Sequence, residues 1–243
     1  MNPVPLLSLK NVTKSYGSLC VANAISFEVN EGETLGIIGP NGAGKTTLFN
    51  LIAGSLPLDQ GIVKLEGSDI TTSNPTVCCQ RGLGRTFQIP KTFGSMSVYE
   101  NILVGLVSKK PRPSRKEIKR RAADILEMTK LEAYANTKAK ELSIIRQKSL
   151  GLACALSTSP KLLLLDEVAG GLTNHELQAF LKMLALIKSS GITIIWIEHA
   201  VYALASFVER MIVIDFGKQI ADGDPMTLLE DPLIKEIYLG GEN

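Results

Sequence analysis

Between Gly39 and Thr47 the chain reads Gly-Pro-Asn-Gly-Ala-Gly-Lys-Thr-Thr, so that Gly39, four further residues, Gly44, Lys45 and Thr46 stand in the order of a phosphate-binding loop. Glycines let backbone N–H groups turn inward around phosphate oxygens at the positive end of a helix, a lysine adds a point charge, and a threonine hydroxyl is a hard ligand for Mg²⁺. Pro40, Asn41, Gly42, Ala43 and Thr47 complete the loop expected to wrap the phosphates. An apolar run, Thr34 to Gly39, precedes it and a helical pattern, Thr47 to Gly54, follows, which is the strand–loop–helix context this chemistry requires. The GxGxxG spacing of a dinucleotide-binding turn is absent.

A second group of reactive residues closes apolar runs further along. Asp166 and Glu167 end "KLLLLDE", at the strand end where ligands bind in open α/β sheets. Taken alone, the two carboxylates could equally cap the next helix. Downstream of a phosphate loop, Asp166 is suited to hold Mg²⁺ through water and Glu167 to polarise the water that attacks a γ-phosphate. His199 follows "ITIIWIE", where a strand end in the same sheet would bring its imidazole to the γ-phosphate. Gln88 closes the strand-like "GRTFQ" and offers a neutral amide to Mg²⁺ or water.

Elements with buried strands and alternating helices must position these groups. The runs "LLSLKNV", "AISFEVN" and "IVKLEG" have the character of a small antiparallel sheet, whereas "TLGIIG", "KLLLLDE", "ITIIWIE" and "RMIVID" are apolar throughout, as buried parallel strands are. From about Ile89 to Pro160 the pattern turns helical, with "VYENILVGLVS" and a long charged helix over Arg115–Ala135 separated by "KKPRPS". The fold class expected is α/β, with a mostly parallel core sheet, a small antiparallel β subdomain and an inserted helical subdomain. The tail offers helix starts at Asp224 and Asp231, and glycines after Leu239 to stop the last helix.

Composition narrows the function classes. At 243 residues and 45% hydrophobic content the chain supports one well-buried domain, and its net charge of +2 signals neither a nucleic-acid binder nor an acidic-substrate binder. Four cysteines without CxxC spacing, far from both histidines, argue against a zinc site or a disulfide scaffold and for a reducing compartment. Neither a signal peptide nor an uncharged stretch near the ~20 residues of a spanning helix is present, so the expected membrane role is peripheral. The basic run from Lys109 to Arg121 holds eight Lys or Arg against one Glu but no interleaved aromatics, and reads as a solvated helix face rather than a nucleic-acid surface.

These elements, in this order, resemble the nucleotide-binding subunit of an ABC transporter, a P-loop NTPase with a RecA-like core, over nearly the whole chain. "GPNGAGKT" resembles the Walker A, Asp166 and Glu167 the Walker B, Gln88 the Q-loop, "AGGLTNHE" the D-loop and His199 the switch histidine. Tyr16 in "KSYG" resembles the aromatic that stacks on adenine. The resemblance implies a single ABC ATPase domain over 1–243, its nucleotide core spanning 1–88 and 161–243 and its helical subdomain 89–160. It also implies ATP and Mg²⁺ as cofactors and a head-to-tail dimer sandwiching two ATP molecules. The other implied partners are transmembrane permease subunits and, indirectly, a solute-binding protein, at the cytoplasmic face of the cell membrane; no nucleic acid is implied. "GRTFQ", "FGSMSVYENILVG" and "KEIYLG" look most like subunits of branched-chain amino-acid uptake systems, with Phe93 and Met96 on the surface that receives the permease. The tail also resembles ATPases of lipopolysaccharide export, and a non-transport ATP switch is a further alternative.

"KELSIIRQKSLGLA" departs from the family's signature, LSGGQ or LS-aromatic-GQ, whose Ser and Gly amides bind the γ-phosphate on the partner chain. Leu142 and Ser143 match, Ile144 takes a variable position, Ile145 replaces the phosphate-facing glycine and Arg146 the glutamine. A β-branched side chain lacks the close backbone approach of glycine. The expectation is a chain with a competent phosphate loop and a weak signature, favouring a heterodimer over a homodimer. Val168 and Asn174 stand where prolines are common, without removing a catalytic group.

Overall fold

A computed structural model describes residues 4–108 and 111–239. In chain order it contains β1 (Leu7–Tyr16), β2 (Leu19–Val29), β3 (Thr34–Ile38), α1 (Lys45–Ile52), β4 (Gln60–Leu65), β5 (Ser68–Asp69), α2 (Pro75–Gln80) and β6 (Leu83–Arg85). There follow α3 (Val98–Ser108), α4 (Arg115–Thr129), α5 (Ile144–Ser157), β7 (Leu162–Asp166), α6 (Asn174–Ser189), β8 (Thr193–Ile197) and α7 (Val201–Ala205). The chain ends in β9 (Arg210–Asp215), β10 (Lys218–Gly223), α8 (Pro225–Glu230) and α9 (Pro232–Leu239). Two compact units divide it, Met1–Cys78 with Thr193–Asn243 and Cys79–Ile192.

The first unit holds two sheets. β1 lies between β2 and β4 with antiparallel register on both sides, and β5 extends β4. The other is built on β3, whose five residues are all buried and which runs parallel to both β8 and β9. Burial on both faces explains why β3, β8 and the centre of β9 are unbroken apolar runs, whereas β2 alternates buried and exposed residues toward its end. Trp196, fully buried on β8, meets the Phe207 ring edge-on at 5.8 Å.

In the second unit β6 pairs in parallel with β7, and α3, α4 and α5 pack on one another. The long charged helix is shorter than expected. It stops at Thr129 because Lys130 adopts φ 58° and donates its N–H back to Leu126 and Glu127, turning the chain so that Leu131 is buried. Likewise the strand before Gln88 ends at Arg85, so Gln88 lies three residues past it, in irregular backbone, rather than closing it. Asp224 caps α8 through the Thr227 N–H at 2.8 Å, and Asp231 accepts from the Leu233 N–H at 2.8 Å, as the aspartate–proline steps predict. Lys109, Lys110 and the glycines after Leu239 lie outside the described residues. Among the described residues no helix is long and apolar enough to cross a membrane.

Candidate functional site

In the first unit the phosphate loop leaves β3 and enters α1. Its shape depends on two glycines. A Cβ on Gly39 would lie 2.1 Å from the Ile214 carbonyl oxygen, and one on Gly44, at φ 101°, 2.1 Å from that of Val21. No other residue fits either place. The turn after β9 braces the loop: the Gly217 N–H donates to Ala43 O at 3.0 Å, and Gly217 O accepts from the Asn23 N–H at 2.8 Å. Lys45 is buried, its ammonium donating to Gly39 O at 2.6 Å and Pro40 O at 2.9 Å, so the charge sits inside the loop. Thr46 is exposed and Thr47 half-buried.

His199 emerges beside this loop. β3 and β8 are parallel with Ile37 opposite Ile197, so Gly39 and His199 leave the same sheet edge in the same direction. The imidazole is exposed, while its neighbour Glu198 is buried and accepts the His199 N–H at 3.1 Å. Tyr16 ends β1 at the tip of the β1–β2 hairpin and is 54% exposed.

The second unit brings the other sequence-predicted residues together. The Thr86 N–H and Asp166 N–H bond respectively to Leu164 O at 2.9 Å and Thr86 Oγ1 at 3.1 Å, laying the segment after β6 along the end of β7. Gln88 Nε2 donates to Glu167 Oε2 at 2.6 Å. Asp166, buried, receives Arg85 Nη2 on Oδ2 at 2.9 Å, in an ion pair whose side chains are 7% and 4% exposed. Arg85 went unrecognised in the sequence because an ion pair spanning 81 positions leaves no local pattern. Its guanidinium also lies 5.1 Å from the Phe87 ring centroid. Glu167 itself holds φ 48°, a left-handed backbone that costs a non-glycine residue about 1–2 kcal/mol.

The head of α5 absorbs its unusual residues locally. Ser143 is the N-cap but makes no side-chain capping bond. Ile144 is 74% exposed, whereas Ile145 is half-buried and lines an apolar cleft of about 130 Å³ with Val168, Leu172, Phe180 and Met183. Arg146 places its guanidinium 4.1 Å from the Tyr134 ring centroid, a cation–π contact. Lys148 donates to Gly170 O, tying α5 to the turn that follows Glu167. Asn174 is the first residue of α6, a position proline suits, and the Thr173–Glu176 capping box starts that helix without one.

The segment expected to meet a membrane partner is anchored by a residue the sequence reading missed. Asn101, buried on α3, accepts the Phe93 N–H at 2.8 Å and donates to Phe93 O and Ser97 O at 3.1 and 2.9 Å. Phe93 remains 55% exposed and Ile89 80% exposed. In the basic helix Arg120 pairs with Glu117 and Asp124, and Arg121 with Glu117. Both bonds to Glu117, that from Arg120 foremost, bring its carboxyl down to about 2.

The family model for ABC transporters matches residues 22–170, from β2 through the turn that carries Asp166 and Glu167. The chain belongs to the ABC transporter family. It is an ATP-binding cassette, a transporter subunit that binds and hydrolyses ATP, with the P-loop fold of those ATPases. It is 34% identical over 250 residues to a probable branched-chain amino acid transport ATP-binding protein, LivG, of Methanocaldococcus jannaschii, covering 97% of each chain. It is 31% identical over 235 residues to the lipopolysaccharide export system ATP-binding protein LptB of Haemophilus influenzae, again covering 97% of each. Among solved structures it resembles the ADP conformation of an ATP-binding cassette of an ABC transporter, with a TM-score of 0.88, 35% identity and coverage of 97% of this chain and 99% of that one.

Proposed function

We propose that this cassette energises uptake of branched-chain amino acids, as the ATPase of a transporter whose permease subunits span the membrane and whose solute-binding protein delivers the cargo. The observation that carries the reading is the similarity to LivG over 97% of both chains. The anchored, exposed segment from Ile89 to Met96 supports a permease-facing surface at the cytoplasmic side of the membrane. The domain is single, with nucleotide core 1–88 and 161–243 and helical subdomain 89–160.

Gly39 to Thr47 wrap the phosphates and Tyr16 stacks on the adenine. Glu167 polarises the attacking water, and His199 orients it from the end of β8. The proposed Mg²⁺ donors suit the ion by their chemistry, since the Asp166 carboxylate, the Thr46 hydroxyl and the Gln88 amide all offer hard oxygens. Bound there, Mg²⁺ would neutralise charge on the phosphates.

The partner in the dimer is a second, different ATP-binding subunit. Ile145 puts a branched side chain on the first turn of α5, where close backbone approach to a partner's phosphate calls for glycine. Full-rate ATP turnover by the purified chain alone, abolished by Glu167→Gln, would refute the heterodimer. Uptake of labelled leucine, isoleucine and valine tests the cargo. Cells lacking the chain should lose uptake and regain it with wild type but not with Glu167→Gln. Unchanged uptake together with a defect in lipopolysaccharide export would transfer the assignment to the LptB-like role.

A further inference from the structure

A half-exposed tyrosine at a hairpin tip ordinarily samples several rotamers. Here the three residues before Tyr16 are gripped by a single side chain and its backbone. Asp59 lies in the turn ahead of β4. Its Oδ1 accepts Lys14 Nζ at 2.6 Å, its Oδ2 accepts the Ser15 N–H at 2.7 Å, and its own N–H donates to Thr13 O at 3.0 Å. The grip falls where the β1–β2 ladder slips register, between Lys14 and Ser15, so the ladder alone does not fix this end of β1.

The captured lysine is directed onto the tyrosine. Lys14, with its side chain only 11% exposed, holds its ammonium 5.8 Å from the Tyr16 ring centroid, within cation–π range. The ring keeps an open side, since the residue is 54% exposed. The other strand of the hairpin leads directly to Val21, whose carbonyl backs Gly44 of the phosphate loop. The hydrogen bond from Lys14, followed by that from Ser15, holds the Asp59 carboxyl below its usual range, so the clamp is charged at neutral pH.

We infer that Asp59 is a positioning residue for nucleotide-base recognition, presenting the Tyr16 ring through Lys14 and Ser15 as a platform on which a purine stacks. The inference rests on the reading of Tyr16 as the adenine platform. Asp59 touches no nucleotide. Its effect therefore belongs to the base and not to the phosphates, which bind the loop between β3 and α1.

Titration calorimetry of the full chain with ADP and with inorganic pyrophosphate, both with Mg²⁺, separates the two contributions. Base–aromatic stacking is worth about 1–3 kcal/mol, so Tyr16→Ala should weaken ADP roughly fivefold to a hundredfold and leave pyrophosphate within about twofold. Asp59→Ala should weaken ADP by about three- to tenfold, again sparing pyrophosphate, with Asp59→Asn, which keeps an acceptor for Ser15, between it and wild type. Wild-type ADP affinity in Asp59→Ala beside a loss in Tyr16→Ala would overturn the inference and leave the Tyr16 reading standing. No loss in either variant would remove the Tyr16 reading itself. Equal weakening of ADP and pyrophosphate in Asp59→Ala would make Asp59 a support of the fold rather than of the base, and would also overturn it.

Discussion

The loop that opens α1 and the turn that opens α5 both aim a helix N-terminus outward, yet they tolerate side chains in opposite ways. At Gly44 a single added carbon would meet a backbone carbonyl at 2.1 Å, and carbonyls do not move aside. At Ile145 a whole branched side chain is accommodated, half-buried, as one wall of the apolar cleft that it lines with Val168, Leu172, Phe180 and Met183. Bulk is therefore forbidden by the fold at the first and permitted by it at the second. Any cost of Ile145 falls on what α5 presents to another molecule, not on the chain's own architecture.

The sharpest way to break this contrast is Gly44→Ala. It should weaken ATP binding by about a hundredfold or more, roughly 3 kcal/mol, in equilibrium titration, because the left-handed backbone and the Val21 carbonyl both oppose a Cβ. Next comes Ile145→Gly, which should lower unfolding free energy by about 1–3 kcal/mol in urea melts, as a half-buried side chain is removed from the wall of the apolar cleft and the helix gains a glycine. Within an assembled transporter, if α5 meets a partner's nucleotide as proposed, Ile144→Tyr, Ile145→Gly and Arg146→Gln together should raise ATP turnover. No gain would mean α5 already reaches that nucleotide. Arg146→Gln alone, removing the contact with Tyr134, should cost about 0.5–1 kcal/mol in the same melts.

The smallest effect is a pH dependence far from both loops. Arg120 and Arg121 depress the Glu117 carboxyl to about 2, so its stabilisation is complete above the unfolded value near 4.5 and is lost as pH falls toward 2. Glu117→Gln should be less stable than wild type above about pH 4.5, only slightly because the pair is exposed, and the difference should vanish in acid unfolding as pH falls toward 2.

Most of the fold was legible because its signals are local. Apolar runs marked β3, β7, β8 and β9, and aspartate–proline steps marked α8 and α9. The boundary errors came from backbone choices made by tertiary packing: Lys130 turns left-handed so that Leu131 can be buried, and the pairing that defines β6 stops at Arg85. Motif spacing anticipated Lys45 at the head of a helix, where α1 begins, and Asp166, Glu167 and His199 at or just past strand ends, where β7 and β8 stop. Spacing was silent on Arg85 at Asp166, Arg146 on Tyr134 and Asp59 at Lys14, because ion pairs and ring contacts between distant segments depend on how those segments pack.

Glu167 stands at φ 48°, a backbone that glycine or asparagine would occupy more comfortably. Heat resistance and turnover therefore pull this codon in different directions. A random library at position 167 selected only for survival at elevated temperature should drift toward glycine and return sturdier, inert proteins. With Glu167 as the proposed base, the same library selected for growth on transported solute should return glutamate, so the two selections together would measure how much resilience is forgone to keep that carboxylate in place.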